Sequence, residues 1–281
     1  MLKFQNVSFR YTEDSPEILS KFNIDFPVNK VSVIMSANGL GKTTILKLAS
    51  KILFPTKGKI INDNEKISYV FQEDRLIDEL TVFQNLKMIV ELQRVEYIGK
   101  KLCWNKKTHK FEKKDAKLKR KLTKEEIAKA INDMLTQLDI AQCVNYYPSE
   151  LSGSMRKRVA LARAFLHPSQ LLLMDEPFNN LDIQLKNEVI NCFIKLWNQS
   201  KKTVLFVTHS ADEALSIGER IYFLAGRPMQ LEKKITIEGD IRKRDISSSK
   251  MNKYRKEILN FFIKEVKKEH KYIYCLFLYF L

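Results

Sequence analysis

VSVIMSANGLGKTTILKL, residues 31–48, contains the most specific pattern in this 281-residue chain. The β-branched apolar run from Val31 to Met35 predicts a buried strand, and a helix-compatible run begins at Lys42. Between them, the Asn38-Gly39 pair predicts a turn. Ser36 to Thr43 therefore come close to the phosphate-binding loop G-x-x-x-x-G-K-[ST], which joins a strand to a helix.

The residue types of this loop suit an anionic ligand. Gly39 and Gly41 let the backbone curl so that successive N–H groups point inward. The helix beginning at Lys42 adds unpaired N–H groups and its positive dipole end. The Lys42 ammonium is expected to reach the β- and γ-phosphates of a nucleotide, and the Thr43 hydroxyl to ligate Mg²⁺. The predicted nucleotide-binding residues of the loop are Ser36, Ala37, Asn38, Gly39, Leu40, Gly41, Lys42, Thr43 and Thr44.

Ser36 occupies the position of the first glycine in this pattern. That glycine turns the chain out of the strand and contributes no side chain, so an altered but working loop is expected. The alternative is an ordinary strand–turn–helix in which the glycines occur by chance.

The composition, 44% hydrophobic and 29% charged residues, is typical of a soluble globular protein. The four cysteines form no C-x-x-C pair, which indicates free thiols in a reducing compartment. No signal-peptide pattern precedes the strand-like LKFQNVSFRY, and the apolar run 272–281 is too short to span a bilayer. A cytoplasmic location is expected.

The formal net charge of +16 is unevenly distributed. Residues 99–124 carry a net charge of +10 and residues 233–271 a net charge of +7, so the rest of the chain is close to neutral. A basic nucleic-acid-binding face on the core is therefore not expected, and neither is a nucleic acid partner.

Alternating strand and helix patterns in the second half predict a mainly parallel sheet with helices on both faces. Near the start, residues 2–11 predict an edge strand and 18–26 its antiparallel hairpin partner. Thr81 and Thr123 are predicted helix caps, the second with Glu126 in a capping box. The other predicted strands are 59–61, 67–71, 171–176, 203–209 and 221–225, and the predicted helices are 81–93, 152–167, 183–200, 211–217 and one starting at Thr123.

Polar residues follow several of the predicted buried strands. Asp175 and Glu176 end LLLMDE, His209 follows VLFVT, and Gln72 follows KISYVF. Open α/β sheets bind ligands at the carboxyl ends of their strands. Asp175 is placed to hold Mg²⁺, Glu176 to orient and deprotonate an attacking water, His209 to contact a γ-phosphate, and Gln72 to bind Mg²⁺ or its water. The alternative for Glu176 is a solvated carboxylate at a strand end.

LSGSMRKR, residues 151–158, predicts a second anion site, because Ser152 and Gly153 lie at the start of a helix. The loop at Lys42 already provides one phosphate-binding site for a nucleotide. A second phosphate-binding site in the same chain is explained if it binds the nucleotide of another subunit. This implies a two-fold dimer with ATP at the interface.

Taken in order, SANGLGKTT, Gln72, LSGSMRKR, LLLMDEP, Asn180-Leu181-Asp182 and VTHSADEA resemble the ATP-binding subunit of ABC transporters over residues 2 to about 230. The resemblance implies an α/β P-loop NTPase fold with a mainly parallel sheet, an N-terminal antiparallel β part and a helical subdomain. It implies an ATP-binding domain over 1–235, a helical subdomain at about 75–165 that contains the lysine-rich insertion 99–124, and a basic C-terminal tail over 236–281.

The resemblance also implies a role for each matching residue. Tyr11 is similar to the aromatic that stacks on adenine, although a half-buried structural tyrosine is the alternative. Ser152, Gly153 and Ser154 would touch the γ-phosphate bound by the opposite subunit, and Asp182 would communicate across the dimer. Glu176, His209 and Gln72 would be the catalytic residues, and Thr43, Gln72 and Asp175 the Mg²⁺ residues.

Three stretches are similar to importers of the nitrate/sulfonate/taurine type: VFQEDRLIDELTVFQNL, LSGSMRKRVALARAF and VTHSADEALSIGERIYFLAGRP. Such ATPases form homodimers or heterodimers on the inner face of the membrane, bind a membrane permease and act indirectly with an external solute-binding protein. The expected function is therefore ATP hydrolysis coupled to solute uptake.

Two serines, Ser36 and Ser154, replace glycines of the family pattern, and Ser154 is expected to resist a positive φ. They motivate one alternative function, a nucleotide-dependent interaction module that does not hydrolyse ATP. The basic segments motivate another, a soluble ATPase acting on nucleic acid or the ribosome.

The insertion 99–124 lacks apolar periodicity and predicts a solvated, mobile segment, in which Trp104 and Phe111 offer contacts to an acidic partner or a lipid headgroup. In the tail, residues 249–271 fit a basic amphipathic helix, whose apolar end would lie on a membrane surface or pack on the core. The alternative is that the lysine- and asparagine-rich tail reflects compositional bias alone.

Overall fold

A computed structural model describes residues 1–64, 66–105 and 110–279. The chain falls into two compact units. Unit 1 combines Met1–Arg75 with the chain from Ser169 onward, and unit 2 is Leu76–Pro168.

The helices and strands follow one another in the order expected of repeated βα units after an N-terminal hairpin. The strands are β1 (Leu2–Phe9), β2 (Leu19–Phe26), β3 (Val31–Met35), β4 (Lys57–Asn62), β5 (Ile67–Val70), β6 (Arg94–Asn105), β7 (Lys110–Lys121), β8 (Leu171–Asp175), β9 (Thr203–Val207), β10 (Arg220–Ala225) and β11 (Gln230–Thr236). The helices are α1 (Lys42–Ala49), α2 (Val82–Val90), α3 (Lys124–Gln137), α4 (Gly153–Leu166), α5 (Ile183–Gln199), α6 (Ala211–Ile217) and α7 (Ser249–Tyr279).

The main sheet of unit 1 has six strands in the order β11-β10-β3-β9-β8-β5. Its pairs are parallel except for β10 with β11. Strands β3, β8 and β9 are buried along their whole length, as their continuous apolar runs predict. Because these strands are parallel, the segments that follow β3, β5, β8 and β9 emerge at one edge of the sheet. This arrangement confirms the predicted α/β class with a mainly parallel sheet.

The second sheet of unit 1 is antiparallel and has the order β2-β1-β4. The predicted pairing of the first two strands is confirmed, with Leu2 opposite Phe26. The prediction that residues 2–11 form an edge strand is wrong, because β4 pairs along the other side of β1, with Leu2 opposite Asn62. The mostly polar sequence KGKIIN of β4 gave little sign of a long strand.

Unit 2 contains α2, α3 and α4, which pack on one another. The predicted cap Thr81 and the predicted capping box at Thr123 are both present: Thr81 accepts from the Gln84 N–H, and Thr123 accepts from the Glu126 N–H. The helices bury residues such as Leu86, Ile131 and Val159. Their apolar spacing therefore produces a small helical core.

The segment 99–124, for which a solvated, mobile insertion was predicted, contains regular structure in its described residues. Strands β6 and β7 form an antiparallel hairpin whose register runs from Arg94 opposite Lys121 to Asn105 opposite Lys110. The two strands of a hairpin pair their backbone groups with each other and do not need a continuous buried face. Their sequence therefore shows little of the alternation of apolar and polar residues that predicts a strand. Trp104 and Phe111 are partners in this register; the part of the prediction that falls on 106–109 lies outside the described residues.

The C-terminal segment extends unit 1. Strand β11, which the sequence pattern did not predict, adds to the edge of the main sheet. The helix predicted from Ser249 is present as α7, and Met251, Ile258 and Phe261 are buried. The ring of Phe261 lies 4.7 Å from that of Phe223 on β10, so this part of the helix packs on the core. Among the described residues, none of the helices combines the length and apolar character needed to cross a membrane.

Candidate nucleotide-binding and hydrolysis site

The loop after β3 has the backbone geometry of a phosphate cradle. Gly39 and Gly41 have φ of +75° and +107°, values that side chains rarely allow. A Cβ at Gly41 would lie 2.6 Å from Ile18 Cγ2, so this glycine is also required by packing. Ser36, by contrast, has an ordinary negative φ, and its fully buried hydroxyl donates to the Ala37 carbonyl over 3.1 Å. The serine is therefore accommodated without backbone strain.

Lys42 lies inside this loop with 6% of its side chain exposed. Its Nζ donates to the Ser36 and Ala37 carbonyls over 3.2 and 3.3 Å and to Asn38 Oδ1 over 3.4 Å. Burial lowers its pKa, while Glu176 and Asp175 oppose that shift. The ammonium is thus held by oxygen atoms of the loop that is predicted to bind phosphate.

Asp175 ends β8 and is 8% exposed. Tyr69 Oη donates to its carboxylate over 3.3 Å. Burial raises the pKa of Asp175, and hydrogen bonding by Thr43 and Tyr69 opposes the increase. The Thr43 hydroxyl and the Asp175 carboxylate are hard oxygen donors that fit Mg²⁺, which takes a few protein oxygens together with phosphates and water. Gln72 lies two residues beyond β5, at the same sheet edge, with its side chain exposed.

Glu176 is held in a left-handed conformation with φ of +44°. Its N–H donates to the Val207 carbonyl on β9 over 3.0 Å. Its Oε2 lies 3.1 Å from His209 Nδ1 and accepts a hydrogen bond from Asn179 Nδ2. Its Oε1 lies 3.9 Å from Lys42 Nζ. The structure therefore brings together Lys42, Glu176 and His209 from the ends of three neighbouring strands, as predicted from their positions in the sequence.

The segment carrying His209 is anchored on both sides. Thr208 Oγ1 donates to Glu213 Oε2 over 2.6 Å and accepts from the Ser210 N–H over 3.0 Å. Glu213 is buried, and its Oε1 forms an ion pair with Lys186 Nζ at 2.9 Å. These contacts fix the backbone around His209 while half of its side chain stays exposed.

Tyr11 lies beside the start of α1. Its hydroxyl is 2.8 Å from Thr44 Oγ1, and its ring packs edge-on against Phe9 with the centroids 5.0 Å apart. The side chain is nevertheless 54% exposed. The ring is thus positioned near the phosphate loop with surface available for an aromatic base.

Ser152 and Asp182 are helix caps in the described chain. Ser152 Oγ accepts from the Met155 N–H over 3.3 Å at α4, and Asp182 Oδ1 accepts from the Leu185 N–H over 3.0 Å at α5. Ser154 follows Gly153 in the first turn of α4, and its Oγ is 3.2 Å from Ser152 Oγ. The strain predicted for Ser154 is absent, because its φ is helical. The predicted contacts of these residues with a second subunit stay predictions.

Two residues of this site were not predicted from the sequence. Tyr69 is one position before the end of β5, and its contact with Asp175 depends on the pairing of β5 with β8. Asn179 gave a weak signal, because asparagine is favoured in turns and follows Glu176 by three residues. Its N–H donates to the Glu176 carbonyl over 3.2 Å, which closes that turn.

Comparison with known proteins agrees with this geometry. Residues 19–179 match the family model described as "ABC transporter". An uncharacterized ABC transporter ATP-binding protein of Methanocaldococcus jannaschii is 32% identical over 279 residues, covering 96% of this chain and 94% of that protein. A taurine import ATP-binding protein of Pelagibacter ubique is 30% identical over 238 residues, covering 80% of each.

A similar solved structure is a dimeric ATP-binding cassette in a post-hydrolysis state with ADP and Pi bound. It has a TM-score of 0.66 and 25% identity, and the match covers 85% of this chain and all of that one. The family match spans more than half of the 281 residues and includes the phosphate loop, Asp175 and Glu176. The chain belongs to the ABC transporter family.

Proposed function

We propose that this chain is the ATP-hydrolysing subunit of an ABC importer. The main support for the proposal is the proximity of Lys42 and Glu176: Nζ and Oε1 lie 3.9 Å apart, and Asp175 directly precedes Glu176 at the end of β8. Phosphate-loop hydrolysis uses a lysine to neutralise phosphate charge and a further residue to position the attacking water, and Lys42 and Glu176 suit these two roles.

In the proposed reaction, a water oxygen attacks the γ-phosphorus of ATP, the bond to the β–γ bridging oxygen breaks and ADP leaves. Glu176 orients the water and accepts its proton. Lys42 and the loop N–H groups neutralise charge on the transferred phosphoryl group, and His209 contacts the γ-phosphate. Thr43, Asp175 and Gln72 would hold Mg²⁺, which neutralises further phosphate charge. Tyr11 stacks on the adenine.

The active unit is proposed to be a dimer with ATP between two subunits. Ser152, Gly153 and Ser154 of one subunit would cover the γ-phosphate bound at Lys42 of the other, and Asp182 would lie at the same interface. The dimeric cassette solved with ADP and Pi supports this arrangement. The second subunit is either another copy of this chain or a related ATPase.

The cargo class proposed is that of nitrate/sulfonate/taurine-type importers. The taurine import relative supports the class. In this proposal, the dimer binds a membrane permease on the inner face of the membrane, and an external binding protein delivers the solute to that permease. Closure of the dimer around ATP and its reopening after hydrolysis would drive uptake.

The experiment is phosphate release from ATP by the purified protein, measured alone and together with its permease, alongside nucleotide binding. We expect ATP binding in the micromolar-to-millimolar range typical of enzymes, and turnover that depends on Mg²⁺. ATP binding without phosphate release in either condition would contradict the proposal and favour a nucleotide-dependent interaction module.

A further inference from the structure

We infer that Asn179 is a positioning residue that determines which oxygen of Glu176 acts as the base. The inference rests on the proposed function, since it concerns the carboxylate assigned to the attacking water. The supporting observation is that the two carboxylate oxygens of Glu176 make different contacts.

Oε2 of Glu176 is occupied. Asn179 Nδ2 donates to it, and His209 Nδ1 lies 3.1 Å from it. Two nitrogens on one oxygen leave it little capacity to accept a proton from water at the same time.

Oε1 of Glu176 faces the phosphate loop instead. Its neighbour there is Lys42 Nζ at 3.9 Å, a separation longer than a hydrogen bond. This is the side on which the γ-phosphate and the attacking water belong. The geometry therefore assigns Oε1 to receive the proton, while Asn179 and His209 keep the carboxylate from rotating.

Asn179 is suited to this task because it is fixed to Glu176 twice. Its N–H donates to the Glu176 carbonyl over 3.2 Å, and its side-chain amide reaches the carboxylate of the same residue. Asn179 is only partly exposed and directly follows Phe178, which is fully buried. The turn thus carries the amide to the carboxylate with little freedom.

The kinetic test compares Asn179→Ala, which removes the donor, and Asn179→Asp, which keeps the shape but replaces the amide donor with a carboxyl group. Asn187→Ala is the matched control, because Asn187 is exposed on α5 away from this turn. We expect both Asn179 variants to lower kcat by about ten- to a hundredfold at unchanged KM for ATP, as expected for a misplaced base. The control should match the wild type. A fall in ATP affinity at unchanged kcat, or wild-type kinetics in both variants, would overturn the inference.

The hydrogen bond from Asn179 to Glu176 is tested independently of turnover by NMR. The side-chain amide resonances of Asn179 are observed in ¹⁵N spectra and are assigned by their loss in Asn179→Asp. Glu176→Ala removes the acceptor and should move these resonances, whereas Asn187→Ala should not. If they stay in place, the inference fails. Turnover by Glu176→Gln distinguishes the failure of the two proposals. If Glu176→Gln still hydrolyses ATP, Glu176 is not the base. If Glu176→Gln is inactive but the Asn179 variants have wild-type kinetics, only the role of Asn179 is refuted.

Discussion

Tyr69 donates its phenolic hydrogen bond to Asp175 across the neighbouring strands β5 and β8, over 3.3 Å. Burial and the adjacent carboxylate raise the pKa of Tyr69 far above its ordinary value, so the hydroxyl remains a donor at all physiological pH values. The strand that leads to Gln72 is thereby connected to the carboxylate proposed to hold Mg²⁺.

Tyr69→Phe should weaken the binding of Mg²⁺ at the catalytic site without altering the fold. The variant keeps the ring but leaves Asp175 with one hydrogen bond fewer, so its carboxylate is less well oriented toward the metal. We expect the Mg²⁺ concentration for half-maximal ATP turnover to rise about tenfold. Tyr146→Phe, at an exposed tyrosine of unit 2, is the control. Equal Mg²⁺ titrations for the two variants would rule out the role given to Tyr69.

The two glycines of the phosphate loop should differ in their tolerance of alanine. Gly41→Ala places a Cβ 2.6 Å from Ile18 Cγ2 at a φ of +107°, whereas a Cβ at Gly39 meets no atom within 4 Å. Gly41→Ala should therefore reduce ATP affinity more than tenfold, and Gly39→Ala, strained only by its φ, should reduce it less. Equilibrium binding of a fluorescent ATP analogue distinguishes them. The reverse order of affinities would show that the loop changes shape when nucleotide binds.

Ser36→Gly should not improve catalysis. The serine already has a negative φ and a satisfied hydroxyl, so the glycine of the family pattern offers no relief of strain. We expect kcat within about twofold of the wild type and a loss of about 0.5–1 kcal/mol in the free energy of unfolding, because glycine is more flexible in the unfolded chain. A large increase in kcat would mean that Ser36 hinders phosphate binding.

Lys202 should make the stability of unit 1 depend on pH above neutrality. Its ammonium is buried and donates to the Ser169 carbonyl over 2.8 Å, and burial lowers its pKa from 10.5 to about 8. Between these two values the unfolded chain binds a proton that the folded protein does not, so the free energy of unfolding rises with pH in this window. The contribution is at most about 3 kcal/mol.

The comparison of wild type with Lys202→Met in denaturant at pH 7.5 and pH 10 measures this effect. The wild type should gain stability relative to the variant as the pH rises, since methionine does not titrate. A difference between the two proteins that is independent of pH would contradict the buried, partly neutral lysine.

The sequence predicted the parts of the fold that depend on strong local patterns. Continuous apolar runs identified β3, β8 and β9, and the capping residues Thr81 and Thr123 located α2 and α3. Because these strands are parallel, the segments after their carboxyl ends bring Lys42, Glu176 and His209 to one edge of the main sheet. This part of the site could therefore be predicted from the order of the motifs along the sequence.

Features that depend on pairing partners were harder to predict. The central position of β1 depends on β4, whose sequence is mostly polar, and the β6–β7 hairpin lies in a lysine-rich segment. The contacts of Tyr69 and Asn179 require a strand register and a turn conformation that no single residue pattern encodes. Such contacts are decided by tertiary packing, which local spacing does not contain.

The most direct test of Glu176 as the base is a comparison of ATP turnover between the wild type and Glu176→Gln. The oligomeric state of both proteins is measured with and without ATP. If Glu176 is the base at a shared nucleotide site, the wild type hydrolyses ATP and the variant accumulates as an ATP-bound dimer, with turnover reduced by about a hundredfold or more. Wild-type turnover in Glu176→Gln would contradict the role of Glu176 as the base, and a variant that binds ATP only as a monomer would contradict the shared nucleotide site.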